Sequence, residues 1–293
     1  MPELPEVETI VRGLRKKILN LKIKDVWSNV ENIIQKPEKL KDFKREVKGE
    51  IIKDIKRRGK NILIYLSNNK VILVHQKMSG HLLYGEWKKE NDDWVAVNSK
   101  KLAQDRWNKY LHLIIFFENE KQLALSDLRK FAKVEVWKED NLKKDKNFKK
   151  LGPEPLKEDF TFDDFKKALN TRRSGKIKQI LMDQKVIVGI GNIYASEILW
   201  KAKVNPFKGL NDLTEKELKR IYKYMKEILK KAIKFKGTSV SDYRTSDGSR
   251  GRFSDFLNVY HKENNLCPEC GSKIKKAKIS GRSTFFCPEC QSK

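Results

Sequence analysis

Pro2, Glu3 and Glu6 stand in the opening run Met1-Pro-Glu-Leu-Pro-Glu-Val-Glu-Thr9, and all three can act on a carbonyl-like carbon. A small second residue favours removal of the initiator methionine, which would leave Pro2 as a secondary amine. An α-amino group titrates near about 7.7–8.0, so a useful fraction is unprotonated at neutral pH. Attack on an aldehyde-like carbon by a secondary amine gives an iminium, which is positive without a proton and serves as an electron sink. The two carboxylates lie within reach of it. The same stretch also makes an ordinary helix start. Pro5 suits a first helical position, Glu6 and Glu8 suit the first turn, and Val7, Ile10, Val11, Leu14 and Ile18 recur at helical spacing. Pro2 and Glu3 precede that helix, and helix propensity says nothing of them.

The four cysteines form two knuckles, Cys267-Pro-Glu-Cys270 and Cys287-Pro-Glu-Cys290, sixteen residues apart. This spacing fits a tetrahedral four-cysteine zinc site on a β-hairpin. Two disulfides are the alternative, and a reducing compartment disfavours them. Four thiolates leave no open position, so the expected zinc is structural, stiffening a hairpin that carries Arg282. One structural Zn2+ and no organic cofactor are expected. Gly189-Ile-Gly-Asn192 reads either as an anion-binding corner at a helix start or as a plain turn with an Asn cap. Arg57-Arg-Gly-Lys60 begins a strand and by itself reads as a solvated edge. Taken singly, Met78 and Phe131 read as core residues.

Positioning these residues falls to three regions. Segments at Leu21–Trp27, Ile51–Lys56, Ile62–Leu66, Val71–His75, Leu111–Phe117, Gln122–Ser126 and Lys133–Trp137 predict an antiparallel β-sandwich with a flanking helix. The polar stretch Glu86–Asn108, with three tryptophans, reads as a surface insertion without assignable function. Beyond the proline-punctuated Leu151–Leu156 the period turns helical. Thr161 with Asp164 and Thr214 with Glu217 resemble capping boxes, and helices are expected over Arg172–Asp183 and Ile193–Lys203. The expected organisation is α+β and multidomain: a β-sandwich domain (1–150), a linker (151–156), a helical domain (157–258) containing a glycine-rich loop (237–253), and a zinc-finger hairpin (259–293).

The chain has 293 residues and a formal net charge of +26, spread along its length. Such an excess points to a polyanion, most simply nucleic acid. No apolar run reaches the roughly 18 residues of a membrane span, and the start lacks a secretory pattern. A cytoplasmic protein is expected, nucleoid-associated in a prokaryote.

The opening PELPEVET resembles that of the formamidopyrimidine-DNA glycosylase and endonuclease VIII family, base-excision repair enzymes whose N-terminal proline attacks C1′ of a damaged nucleotide. The resemblance runs collinearly from Pro2 to Gln291. It implies a helix–two-turn–helix domain around Lys178, Leu181–Gln184 and Asn192, the asparagine holding the phosphodiester. It assigns Pro2, Glu3, Glu6, Lys60 and Arg282 to catalysis, with Lys60 assisting β-elimination and Arg282 assisting δ-elimination. Met78, Arg129 and Phe131 match the intercalating trio, while Tyr110, Arg173, Lys178, Asn192 and Tyr243 are further expected DNA contacts. Loop 237–253 resembles the segment that closes over an extruded oxidised purine. Three departures stand out: His75-Gln-Lys-Met-Ser-Gly80 for HLGMSG, Asp127-Leu-Arg-Lys-Phe-Ala132 for DPRRFG, and Tyr110-Leu-His112 for HDH. The resemblance implies a bifunctional glycosylase and AP lyase, monomeric, acting on double-stranded DNA with oxidised bases or abasic sites. The alternatives are an endonuclease VIII-like enzyme for oxidised pyrimidines and a zinc-ribbon nucleic-acid-binding protein without catalysis.

Overall fold

The computed structural model describes residues 1–172 and 174–292; Arg173 lies outside the described residues. Two compact units emerge, one of residues 1–149 and 235–254, the other of 150–234 and 255–293.

The first unit opens with α1 (Leu4–Ile18), β1 (Ile23–Ser28), β2 (Ile34–Lys36) and α2 (Leu40–Val47). There follow β3 (Ile52–Arg58), β4 (Asn61–Leu66), β5 (Lys70–His75), β6 (His81–Glu90), β7 (Asp93–Val97) and α3 (Lys100–Gln104). The unit's sheets are completed by β8 (Leu111–Phe117), β9 (Gln122–Ser126) and β10 (Lys133–Lys138), after which come α4 (Glu139–Lys144) and α5 (Lys146–Lys149). Two five-stranded sheets result, ordered β1-β8-β9-β6-β7 and β2-β10-β5-β4-β3. Every pairing is antiparallel except β10 with β2, which is parallel. Alternation along the strands sends Ile62, Ile64, Ile72 and Val74 of one sheet and Leu82, Leu113, Ile115 and Leu125 of the other into a shared core. The apolar stripe of α1 (Val7, Ile10, Val11, Leu14, Ile18) joins that core. Burying these side chains, at roughly 1.5–3 kcal/mol each, fixes the amino end against the sheets.

The Glu86–Asn108 stretch is not the plain surface insertion expected. It completes the long strand β6, pairs it with β7 and adds α3 and a short 3-10 turn at Arg106–Asn108. Two of its tryptophans hold it in place. Trp87 is buried with Leu83, Leu102 and Ile114, and Trp94 packs edge-on to Trp27 at 5.3 Å.

In the second unit come α6 (Phe162–Asn170), α7 (Ile177–Leu181), α8 (Asn192–Lys201) and α9 (Glu215–Lys234). Thr161 caps α6 with a full capping box to Asp164. The helix expected over Arg172–Asp183 is confined to α7, because Gly175 takes φ +131° before it. The chain ends in the hairpin β11 (Lys275–Ile279) and β12 (Arg282–Phe286). Ser280 and Gly281, both at positive φ, make its two-residue turn. The hairpin is not a separate module. Cys267, Ile274, Phe285 and Cys287 share one apolar cluster with Trp200 of α8 and Val259. The glycine-rich loop, expected with the helical domain, is likewise relocated: residues 235–254 pack with the first unit.

Candidate functional site

The chain start lies beside carboxylates. Pro2, Glu3 and Glu6 are all buried, the two glutamates at 2% and 1% exposure. Glu3 donates its backbone N–H to Glu6 Oε2 at 2.8 Å, so Glu6 folds back over the start of α1. The other oxygen of Glu6 accepts from Thr238 N–H at 2.7 Å, which ties loop 235–254 to the same carboxylate. Gly237 permits this approach. It takes φ +77°, and a Cβ there would lie 2.7 Å from Glu6 Oε1. Burial holds the amine of Met1 below the ordinary α-amino range, against the pull of Glu3, Glu6 and Asp242, and Lys60 lowers it further. An amine in this surrounding spends more time as a nucleophile than one in water. Asp242 is a carboxylate that sequence reasoning did not single out; only its place in the glycine-rich loop pointed to it.

Lys60 follows Gly59 in the turn between β3 and β4 and is only 6% exposed. The arginines before it divide their work. Arg57 donates to Glu8 Oε2 at 2.9 Å and to Gly59 O at 3.1 Å, fixing the turn to α1. His75, at the end of β5, belongs to the same neighbourhood and was also missed. Burial, with the charges of Lys77 and Lys60, pushes its pKa down to about 3, so the imidazole is neutral. Lys77 N–H donates to its Nδ1 at 3.0 Å, leaving Nε2 as the protonated nitrogen. Gln76, beside it, is 1% exposed, and neither its amide oxygen nor its nitrogen has a hydrogen-bond partner among the described residues. The resemblance pairs this position with an apolar leucine.

Two loops of the first unit turn apolar side chains outward. Met78 is 43% and Phe131 51% exposed, which settles against a core role for either. Their backbone is held from beneath. Asp127 is fully buried and accepts from Ser79 Oγ, from Ala132 N–H at 2.7 Å and from Arg129 N–H at 3.3 Å. The Arg129 guanidinium lies over the Phe131 ring at 4.6 Å. Tyr110 is 37% exposed and packs by its ring near Trp107.

In the second unit Asn192 is the first residue of α8, after the Gly189–Gly191 corner. Gln184 braces that corner, accepting from Gly189 N–H at 2.8 Å and donating to Ile190 O at 2.8 Å. The carboxamide oxygen of Asn192 is buried without a hydrogen-bond partner among the described residues. Arg282 sits exposed at the start of β12, beside the hairpin turn.

Two expected DNA contacts are placed otherwise. Lys178 is 1% exposed and donates to Ser283 O at 3.1 Å and Thr284 Oγ1 at 3.0 Å, so it fastens α7 to β12. Tyr243 is 6% exposed in the core of the first unit, its hydroxyl donating toward Glu6 O at 3.3 Å and Lys236 O at 3.2 Å. Both turn inward because their polar tips find buried acceptors there.

The thiols of Cys267, Cys270, Cys287 and Cys290 lie within 4.8 Å of one another. Cys267 and Cys290 sulfurs are 3.8 Å apart, and those of Cys270 and Cys287 3.4 Å. A tetrahedral zinc with Zn–S bonds of about 2.3 Å requires sulfurs about 3.8 Å apart, so the donor set fits the metal. The ion would tie the two cysteine knuckles together at the base of the hairpin.

Comparison with known proteins gives a consistent result. Residues 1–134 match the formamidopyrimidine-DNA glycosylase N-terminal domain, 151–244 the formamidopyrimidine-DNA glycosylase H2TH domain, and 265–293 a zinc finger found in FPG and IleRS. A formamidopyrimidine-DNA glycosylase of Pelotomaculum thermopropionicum is 39% identical over 99% of each chain. The Lactococcus lactis Fpg, solved in complex with abasic-site DNA, is 35% identical, with TM-score 0.86 over 99% of this chain and all of that one. MutM in complex with DNA containing carbocyclic 8-oxo-G has TM-score 0.86 and 34% identity over the full length of both chains.

Proposed function

The chain belongs to the formamidopyrimidine-DNA glycosylase family and is a base-excision-repair glycosylase with one structural zinc, and we propose that it releases oxidised purines from duplex DNA through Pro2. The observation that carries this reading is the chain start, where Pro2 and the buried Glu3, Glu6 and Lys60 lie together with Asp242 acting on the amine. With Met1 removed, the Pro2 nitrogen attacks C1′ and the bond from C1′ to the base breaks. Glu3 donates the proton that opens the sugar at O4′. The iminium then acidifies the C2′ hydrogens. Loss of one of them expels the 3′ phosphate, and a second elimination expels the 5′ phosphate, leaving a one-nucleotide gap. Glu6 orients the amine through the start of α1. Lys60 assists the first elimination, and Arg282 and Asn192 take backbone phosphates.

Met78, Arg129 and Phe131 fill the space that the extruded nucleotide leaves. Lysines and arginines along the +26 chain give salt-sensitive binding without sequence preference. Among the described residues no helix is long and apolar enough to cross a membrane. We place the protein, as a monomer, at the nucleoid in the cytoplasm. The names of the curated relatives favour the oxidised-purine enzyme over the pyrimidine one. Excision of 8-oxoguanine opposite cytosine, compared with thymine glycol in the same duplex, tests the assignment. Faster release of 8-oxoguanine is expected; thymine glycol as the better substrate contradicts it.

A further inference from the structure

The stretch 98–108 and loop 235–254 are joined by an ion pair, its arginine buried and its aspartate partly exposed, that the mechanism does not use. Arg244 Nε donates to Asp105 Oδ2 at 2.6 Å and Arg244 Nη2 to Asp105 Oδ1 at 3.0 Å, a two-point fork with the arginine side chain 4% exposed. The same guanidinium donates to Ser241 O and Tyr243 O at 2.9 and 2.8 Å, so it also staples the loop to itself. Asp105 is fixed from its own side, accepting from Trp107 N–H at 3.0 Å. Nearby, Asn108 donates to Lys101 O at 2.9 Å and to Gly248 O at 3.4 Å, and Tyr84 N–H donates to Ser246 O at 2.8 Å. The loop is thus held at one end by Glu6 and at the other by the tryptophan-anchored insertion. Between the insertion and the loop opens a recess of about 530 Å³, lined by Asp105, Arg106, Trp107, Ser241, Arg244 and Arg250.

We propose that Asp105 and Arg244 are positioning residues that set substrate range, by holding loop 235–254 at a fixed distance from the Arg106–Trp107 turn so that the recess accepts a purine-sized base. The recess has the ingredients for a flat, carbonyl-rich heterocycle: an indole, guanidinium donors and backbone groups at Ser241. A planar fork fixes both the distance and the angle between the two walls, which a lysine at position 244 would not do. This inference rests on the glycosylase reading above. An abasic site presents no base to the recess, so its cleavage does not depend on the pair.

The test is single-turnover kinetics of the full-length protein on two duplexes, one with 8-oxoguanine and one with an abasic site. Replacing both partners by apolar residues, Asp105→Leu with Arg244→Met, avoids stranding one buried charge. The double variant is expected to lose tenfold or more in 8-oxoguanine release while abasic-strand scission stays within about twofold. Arg244→Lys, which keeps the charge and loses the fork, is expected to fall between it and the wild type on 8-oxoguanine alone. Equal loss on both duplexes, or no loss on either, overturns the proposal. A wild-type protein that cleaves the abasic duplex but releases no oxidised purine refutes the substrate reading, and the inference with it.

Discussion

The wedge loops of the first unit and the contact between α7 and the cysteine hairpin of the second invert the usual distribution of side chains in opposite senses. Met78 and Phe131 are apolar and stand in solvent, whereas Lys178 is charged and lies buried. An outward ring on a loop that Asp127 holds rigid is a surface waiting for a partner. An inward ammonium with two acceptors is a fastening. Residue type alone does not separate the two roles. The direction of the side chain does, and that direction depends on what the supporting backbone offers.

The largest effect expected from breaking this contrast is at the metal. Structural zinc sites contribute about 10–16 kcal/mol of apparent binding energy in small finger peptides. Chelation, or Cys287→Ala, should therefore release the β11–β12 hairpin and abolish DNA binding while the β-sandwich keeps its own melting transition. Calorimetry with and without chelator reads this directly, and an unchanged binding isotherm after full zinc loss refutes it. Next is Lys178→Met, which keeps the stem and removes the donors. A loss of about 3 kcal/mol of stability is expected, since hydrogen bonds to charged groups are worth roughly 1.5–3 kcal/mol. Its salt dependence of DNA binding should match wild type, because the ammonium does not reach solvent.

Phe131→Ala and Met78→Ala should do the reverse. Denaturant midpoints should be unchanged within error, and excision should slow by 10- to 100-fold, about 1.4–2.8 kcal/mol in the barrier. A lowered midpoint without slower excision would return both residues to the core. The smallest effect expected is a gain. Gln76→Leu removes two unpartnered buried amide atoms and should stabilise the protein by about 1–2 kcal/mol, with strand scission retained. Destabilisation would mean that the amide has a partner, such as an ordered water, which the protein needs.

Much of this was legible in the sequence because local signals agreed with the tertiary outcome. The apolar runs from Ile51 to Trp137 form strands where turn residues bound them, and the capping boxes at Thr161 and Thr214 open helices where expected. The cysteine spacing carried the zinc site by itself. Other features depend on neighbours remote in sequence. Nothing near Lys178 announces that Ser283 and Thr284 will cover it. Tyr243 gives no sign that Glu6 O lies within reach of its hydroxyl. The Glu86–Asn108 stretch read as a surface insertion because its tryptophans are too few for a period, yet Trp87 and Trp94 pack against residues of distant strands. Loop 235–254 follows the helices in sequence but belongs with the first unit because the hydrogen-bond donors of Thr238 and Arg244 are met there. Asp242 was overlooked for the same reason, since only the folded chain brings its charge to the amine, and His75 because its low pKa comes from burial and from Lys77 and Lys60.

The central claim is that the amino-terminal nitrogen of Pro2 bonds to the sugar. Borohydride reduction during reaction with abasic DNA, followed by peptide mass spectrometry, tests it most directly. The account predicts a stable covalent complex whose adduct maps to Pro2 and which a protein extended ahead of Met1 fails to form. Equal trapping by the extended protein, or an adduct on Lys60, would contradict it.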